Sequence, residues 1–234
     1  MSVTKTLALS HSHPQPREPD MSSSATPAVK LALCVRTAEV KDDFSNVPEL
    51  ETMLVDRAIC ETDKSYLQII PYVTLVSKVD GHLMQYSRGK AGGEGRLFSK
   101  TSIGLGGHMD NEVIGSFYSA VATETARELV EEVGIKDAQG IHSRILDQLY
   151  AHHFTFFHLK DSPNEVDHVH LALSLVLGVD PSECTALEEG VIVDPQWREL
   201  DELYEEVVTG VSTLELWSQV VVRNVVRDLK PALA

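Results

Sequence analysis

The chain is poor in the features of an extracellular, membrane-spanning or nucleic-acid-binding protein. Its three cysteines, Cys34, Cys60 and Cys184, are widely spaced and form no C-x-x-C pair. That excludes a disulfide framework and a zinc ribbon, and it fits a reducing cytoplasm. No apolar run approaches the roughly 20 residues of a membrane span. The stretch TLALS after Lys5 is too short, and too polar in its surroundings, for a secretory signal. Positive charge is scarce: 20 Lys and Arg face 35 Asp and Glu, giving a formal charge of −15 and a pI near 5.0. This balance argues against nucleic-acid polymers and anionic membranes as partners, and admits a small anionic substrate where a cation mediates. A phosphate-cradling G-x-x-x-x-G-K-[ST] motif is also missing.

What is present, 234 residues with 43% apolar and 24% charged content, can bury one substantial core. Residues 1–28 carry Ser, Pro and His without periodicity and read as a disordered leader, with His11 and His13 solvated. Residues 29–234 then form a single domain; Met1 and Met21 are alternative starts, and monomer and homodimer are both open.

From Tyr66, YLQIIPYVTLVSKVDGHLMQYSRG reads as two strands joined at Val79-Asp80-Gly81, since Asp-Gly favours a tight hairpin. A Gly-rich basic loop with Arg88, Lys90, Arg96 and Lys100 follows, then SIGLGGH. SRILDQLYAHHFTFFHL and VDHVHLALSLVLGV read as further strands, with His168 and His170 on one face, and VIVDPQWREL leads into a short acidic helix at about residues 200–208. A last helix starts at a Ser212/Glu215 capping box and repeats Leu214, Trp217, Val221, Val225 and Leu229 along its core face. Strands, helix, strands, helices in that order predict a mixed sheet sandwiched by helices.

The segment GGHMDNEVIGSFYSAVATETARELVEEVGI holds the chemistry. Ser116 is a suitable N-cap and Gly134 a suitable C-terminal residue for a helix over Phe117 to Val133. Glu124, Glu128, Glu131 and Glu132 fall on one stripe of it, and like charges at such spacing cost about 0.2–0.5 kcal/mol per pair. The last two also sit at the negative end of the helix dipole. A hard cation, Mg2+ or Mn2+, would compensate the crowding; the alternative is a solvated acidic face softened by Arg127.

Within that helix, RELVEEVGI matches the second half of the Nudix box, G-x5-E-x7-R-E-U-x-E-E-x-G-U with U aliphatic, at Arg127, Glu128, Leu129, Glu131, Glu132, Gly134 and Ile135. The chain therefore resembles the Nudix hydrolases, from about residue 50 onward. One departure is plain: the box expects its first glutamate at position 119, which is Ser119. Gly106 and Glu112 do form G-x5-E, but 14 residues separate Glu112 from Arg127 in place of the family's seven. This reads as an insertion of about two helical turns, with Glu124 able to replace the first glutamate as a brace for Arg127.

The resemblance implies an α/β fold, the Nudix-type α/β/α sandwich with a mixed β-sheet. It implies Mg2+- or Mn2+-dependent hydrolysis of a diphosphate linkage in a nucleoside-diphosphate-linked or related small molecule. The metal would be held by Glu128, Glu131, Glu132 and the Gly107 carbonyl. Arg127, Glu128 and Glu132 would form the catalytic set, with Glu132 the first candidate for general base and Glu165 or Asp167 as loop alternatives. Arg88, Arg96, Lys100 and His108 are candidates for phosphate contact. The alternative is a Nudix-fold module that senses a nucleotide without cleaving it. An isopentenyl diphosphate isomerase is disfavoured because no cysteine lies between Cys60 and Cys184.

Overall fold

The longest apolar β-rich run, Tyr66–Ser77, becomes the central strand β3 of a nine-stranded mixed sheet. The computed structural model describes residues 29–90, 100–110, 115–185 and 187–225. The expected leader, Arg96, Glu112 and Leu229 lie outside the described residues. In chain order the elements are β1 (Leu31–Arg36), β2 (Met53–Asp56), α1 (Arg57–Cys60), β3, β4 (Leu83–Arg88), β5 (Thr101–Ser102), β6 (Gly104–Leu105), α2 (Phe117–Val133), α3 (Ala138–Tyr150), β7 (Thr155–Phe157), β8 (His170–Val179), β9 (Ile192–Arg198), α4 (Leu200–Thr209) and α5 (Leu216–Val220).

A path β2-β1-β3-β4-β5 runs through the sheet; β6 also pairs with β3, β7 with β8, and β9 with β4. Among the described strands the parallel pairing joins β3 to β8 in unbroken register from Gln68↔His170 to Ser77↔Val179. Every residue of β8 is buried, which explains why its sequence is a continuous apolar run: helices cover both faces.

On one face Leu67, Ile69, Val73 and Leu75 join Leu171, Leu173, Leu175 and Leu177 beneath Val121, Ala122, Ala126 and Leu129 of α2 and Ile141, Ile145 and Leu149 of α3. On the other, Tyr72, Val76, Ala172 and Val176 pack beneath Leu200, Leu203 and Val207 of α4 and Val221 and Val222 after α5. The α/β sandwich with a mixed sheet is as expected. So are the hairpin after β3, α2 with both its ends, and α4.

Three local readings need correction. The run SRILDQLY is helical, not a strand: it forms the last turns of α3, where Ile141, Ile145 and Leu149 recur every four residues on the buried face. Asp137 caps this helix, its Oδ1 accepting from the Gly140 amide at 2.9 Å, and Arg144 donates to the Gly178 carbonyl at 2.6 Å, fastening it to β8. The strand expected from VDHVH begins only at His170, because Glu165–Val169 is a 3-10 turn, so His168 and His170 do not alternate on a strand. The final helix has no capping box. Ser212 Oγ accepts from the Leu214 amide at 3.1 Å, Glu215 makes no side-chain cap, and a π turn, Val221–Val225, continues from α5.

Because β8 is covered on both faces, a cavity in it has little room to collapse. Leu173→Ala should destabilise the fold by about 2–5 kcal/mol, read as a lowered urea midpoint with an unchanged slope.

Candidate functional site

Helix α2 is built to present carboxylates. Ser116 Oγ accepts from the Ser119 amide at 3.1 Å and starts it; Gly134 ends it in the left-handed conformation. The segment after β8 crosses its C-terminus, where the Glu188 amide donates to the Glu132 carbonyl at 2.8 Å and Thr185 Oγ1 to the Gly134 carbonyl at 2.8 Å. Carbonyls that would otherwise be orphaned are thus satisfied.

Arg127 gathers three of the four carboxylates. Its Nε and Nη2 donate to Glu124 Oε2 at 3.1 and 2.9 Å, its Nη2 to Glu128 Oε1 at 2.6 Å, and its Nη1 to Glu131 Oε2 at 2.7 Å. Glu124 is 5% exposed, so loss of Arg127 would take a counter-charge from a buried carboxylate, which costs more than breaking an exposed pair. The Glu131 pair is solvated, its carboxylate 55% exposed, and such a pair contributes about 0–1 kcal/mol.

Glu132 is different. Its Oε2 is buried with no hydrogen-bond partner. Burial first, then the Glu128 charge, push its carboxyl up to about 8, while Arg88 and a hydrogen bond from the Gly106 amide pull the other way. Burial also raises Glu128, against the pull of Arg127. Opposite these carboxylates runs the glycine loop after β6. A Cβ on Gly107 would lie 2.8 Å from Glu128 Oε1, and one on Gly106 would collide with the Pro71 carbonyl. Glycine at 106 lets this backbone pass close to β3, and at 107 it leaves the Glu128 carboxylate room beside the loop.

The donor set of Glu128, Glu132 and the Gly107 backbone is all hard oxygen, and the Glu132 oxygen without a partner can serve a small oxygen-liganded cation. Among the described residues, however, no three His, Cys, Asp or Glu side chains converge as a metal cluster. Glu131 is turned to Arg127 instead.

The remaining candidates scatter. His108 follows Gly107, yet its neighbours are on the other face of the sheet: its Nε2 lies 3.2 Å from His170 Nε2, and Trp217 stacks edge-on against His170. Burial, then the charges of Arg57, His170 and Lys30, push His108 down to about 3. His170 Nδ1 donates to the Val166 carbonyl at 2.7 Å, so its Nε2 accepts from His108. His158 and His168 donate to the carbonyls of His168 and Ser162. Asp167 accepts from Trp217 Nε1 at 3.0 Å and from Ser162, whereas Glu165 is exposed. The Lys100 side chain is exposed. Arg88 is forked onto Glu215, a partner 127 residues away that no local pattern could reveal.

The architecture defines the class first: the chain superimposes on Tm1382, a candidate Nudix hydrolase, with a TM-score of 0.55 over 87% of this chain and 98% of that one at 18% identity. The fold is therefore of the Nudix type. No protein-family model matches the chain. It is 32% identical over 169 residues to Protein YmaB of Bacillus subtilis (strain 168), covering 71% of this chain and 74% of that protein, and it belongs to the same family.

Stability of the metal-free protein should follow Glu132. Its carboxyl binds a proton more tightly in the folded chain, at about 8 against 4.5 ordinarily. The stability it contributes is present at acid pH and lost as pH rises toward 8. In EDTA, Glu132→Gln should therefore melt several degrees above the parent at pH 8.5 and equal to it near pH 4, measured by thermal denaturation.

Proposed function

We propose that the chain is a divalent-cation-dependent hydrolase of a diphosphate linkage in a nucleoside-diphosphate-linked or related small molecule. The observation that carries this reading is the Glu132 carboxylate, buried, missing a partner at one oxygen and facing the glycine loop beside Glu128. Glu128, Glu132 and the Gly107 carbonyl would hold Mg2+ or Mn2+, with Glu131 able to join by releasing Arg127. Such a cation neutralises diphosphate oxygens and makes a water more acidic.

The chain's own groups do the rest. Arg127 keeps Glu128 charged and aimed. Glu132 is first in line to take the proton of the attacking water, since one of its oxygens has no hydrogen-bond partner. The Gly106 and Gly107 backbone shapes the opposite wall. Arg88, Lys100 and Arg96 are left for the substrate's anionic groups, and His108, on the far face, for a more distant part. The absence of a converged ligand cluster among the described residues favours a second reading, a module that binds a nucleotide without cleaving it.

One assay separates the two. The protein is incubated with Mg2+ or Mn2+ and dinucleotides, nucleotide sugars, nucleoside triphosphates and coenzyme A, with release of phosphorylated products followed chromatographically. Hydrolysis of one class is expected, and Glu132→Gln or Glu128→Gln should reduce it by about two orders of magnitude or more with the fold intact. Tight binding of one ligand without turnover would sink the hydrolase reading.

A further inference from the structure

Glu215 belongs to no carboxylate of α2, is 5% exposed, and gathers more polar partners than any other buried acid described. Its Oε2 accepts from Arg88 Nε at 3.0 Å and its Oε1 from Arg88 Nη2 at 3.1 Å. Oε1 also accepts from the Tyr72 hydroxyl at 2.9 Å and Ser102 Oγ at 2.6 Å. The Tyr72 hydroxyl lies 2.7 Å from Ser218 Oγ, which accepts from the Ile103 amide at 3.0 Å. The backbone holds the same place: the Glu215 amide donates to the Thr101 carbonyl at 2.9 Å and the Thr101 amide to the Thr213 carbonyl at 3.2 Å.

A buried ion pair is weak evidence for stability, because desolvation offsets the attraction and apolar side chains do as well. What this arrangement secures is a location for one guanidinium. Arg88 ends β4, with its Cζ 5.9 Å from the centre of the Tyr86 ring. The Tyr86 hydroxyl donates to the Gly104 carbonyl at 2.8 Å, and Gly89, next to Arg88, donates its amide to the Val191 carbonyl at 2.9 Å, in the segment whose Glu188 amide donates to the Glu132 carbonyl at 2.8 Å. Arg88 therefore joins the Glu215 network to the segment that crosses the C-terminal end of α2, and its charge favours the ionised form of Glu132. Glu215 takes the Nε–Nη2 edge of the guanidinium; the Nη1–Nη2 edge of an arginine has the geometry of a phosphate.

We propose that Glu215 is a positioning residue, which holds the Arg88 guanidinium at the rim of the carboxylate cleft to meet an anionic phosphate group of the ligand. The inference rests on reading the cleft as a diphosphate site. It gives the C-terminal segment a part in ligand recognition that no residue of the Nudix-box helix supplies.

The test uses a diphosphate that cannot be cleaved, methylene-bisphosphonate, titrated calorimetrically with Ca2+ present into the full chain and its variants, beside the hydrolysis assay on the parent. Arg88→Ala and Glu215→Gln should each weaken binding by about tenfold or more, the scale of losing one fixed contact. The double variant should bind no more weakly than Arg88→Ala alone, since the two act as a unit. Glu215→Asp keeps the charge and withdraws it by one methylene; it should also weaken binding, and it carries the test alone if Glu215→Gln does not fold. Ca2+ affinity without the bisphosphonate should change less than bisphosphonate binding does, since Arg88 acts on Glu132 through its charge alone. Parental binding in the Glu215 variants, additive losses in the double variant, or no binding by the parent overturns the proposal. If the parent binds the bisphosphonate with this pattern and yet hydrolyses nothing, the positioning role stands and the hydrolase reading falls. If the parent hydrolyses a diphosphate while the Glu215 variants bind normally, the reverse holds.

Discussion

Carboxylate crowding on one stripe of α2 is the constraint that the surrounding structure answers. Glu124, Glu128, Glu131 and Glu132 share a face, the last two at the end of the helix whose carbonyls already point negative charge toward them. In a chain with a formal charge of −15, counter-charge is scarce, and here a single arginine is shared. Arg127 serves three carboxylates at once. Backbone N–H groups supply what side chains do not: the Gly106 amide reaches Glu132, and the Glu188 amide relieves the helix end. Glu132 is the acid these devices leave least satisfied, raised and lacking a partner at one oxygen.

The sheet decides which residues join that cleft. The β3–β8 pair is the platform, buried on both faces, and β6 lies antiparallel to β3 through Val73↔Leu105 and Thr74↔Gly104. As the chain leaves β6 beside β3, neighbouring residues point to opposite faces. Gly107 meets Glu128 under α2, while His108 meets His170, which in turn packs against Trp217 under the C-terminal layer. Adjacency in sequence thus separates the two candidates, and a partner distant in sequence, Glu215, comes near through Arg88.

What was legible in the sequence was whatever local physics determines. Helix α2 has its N-cap, its C-terminal glycine and its stripe within 19 residues, and the Asp-Gly hairpin is equally self-contained. The brace between Glu124 and Arg127 followed from their spacing on one helix. Misreadings arose where short-range pattern and tertiary context diverge. SRILDQLY carries enough β-branched and aromatic character to pass for a strand, but its buried residues are four apart and it docks on β8. Ser212 and Glu215 have capping-box spacing, yet Glu215 meets a cation and two hydroxyls from strands more than 100 residues away, which outcompete a backbone amide as partners for a carboxylate. The pairing of Arg88 with Glu215 was hidden for the same reason: its partner is distant in sequence.

The unusual spacing upstream of the box can be placed on physical grounds. The partners of Arg127 are Glu124, Glu128 and Glu131, at offsets of three, one and four residues, so the carboxylate frame closes within α2 itself. The facing glycine loop takes its position from β6 pairing with β3 and not from the helix. These two walls are anchored independently, and the residues between them must only connect. A longer connection would leave Glu128, Glu132 and Gly107 opposed, with Glu124 already in place as the brace for Arg127.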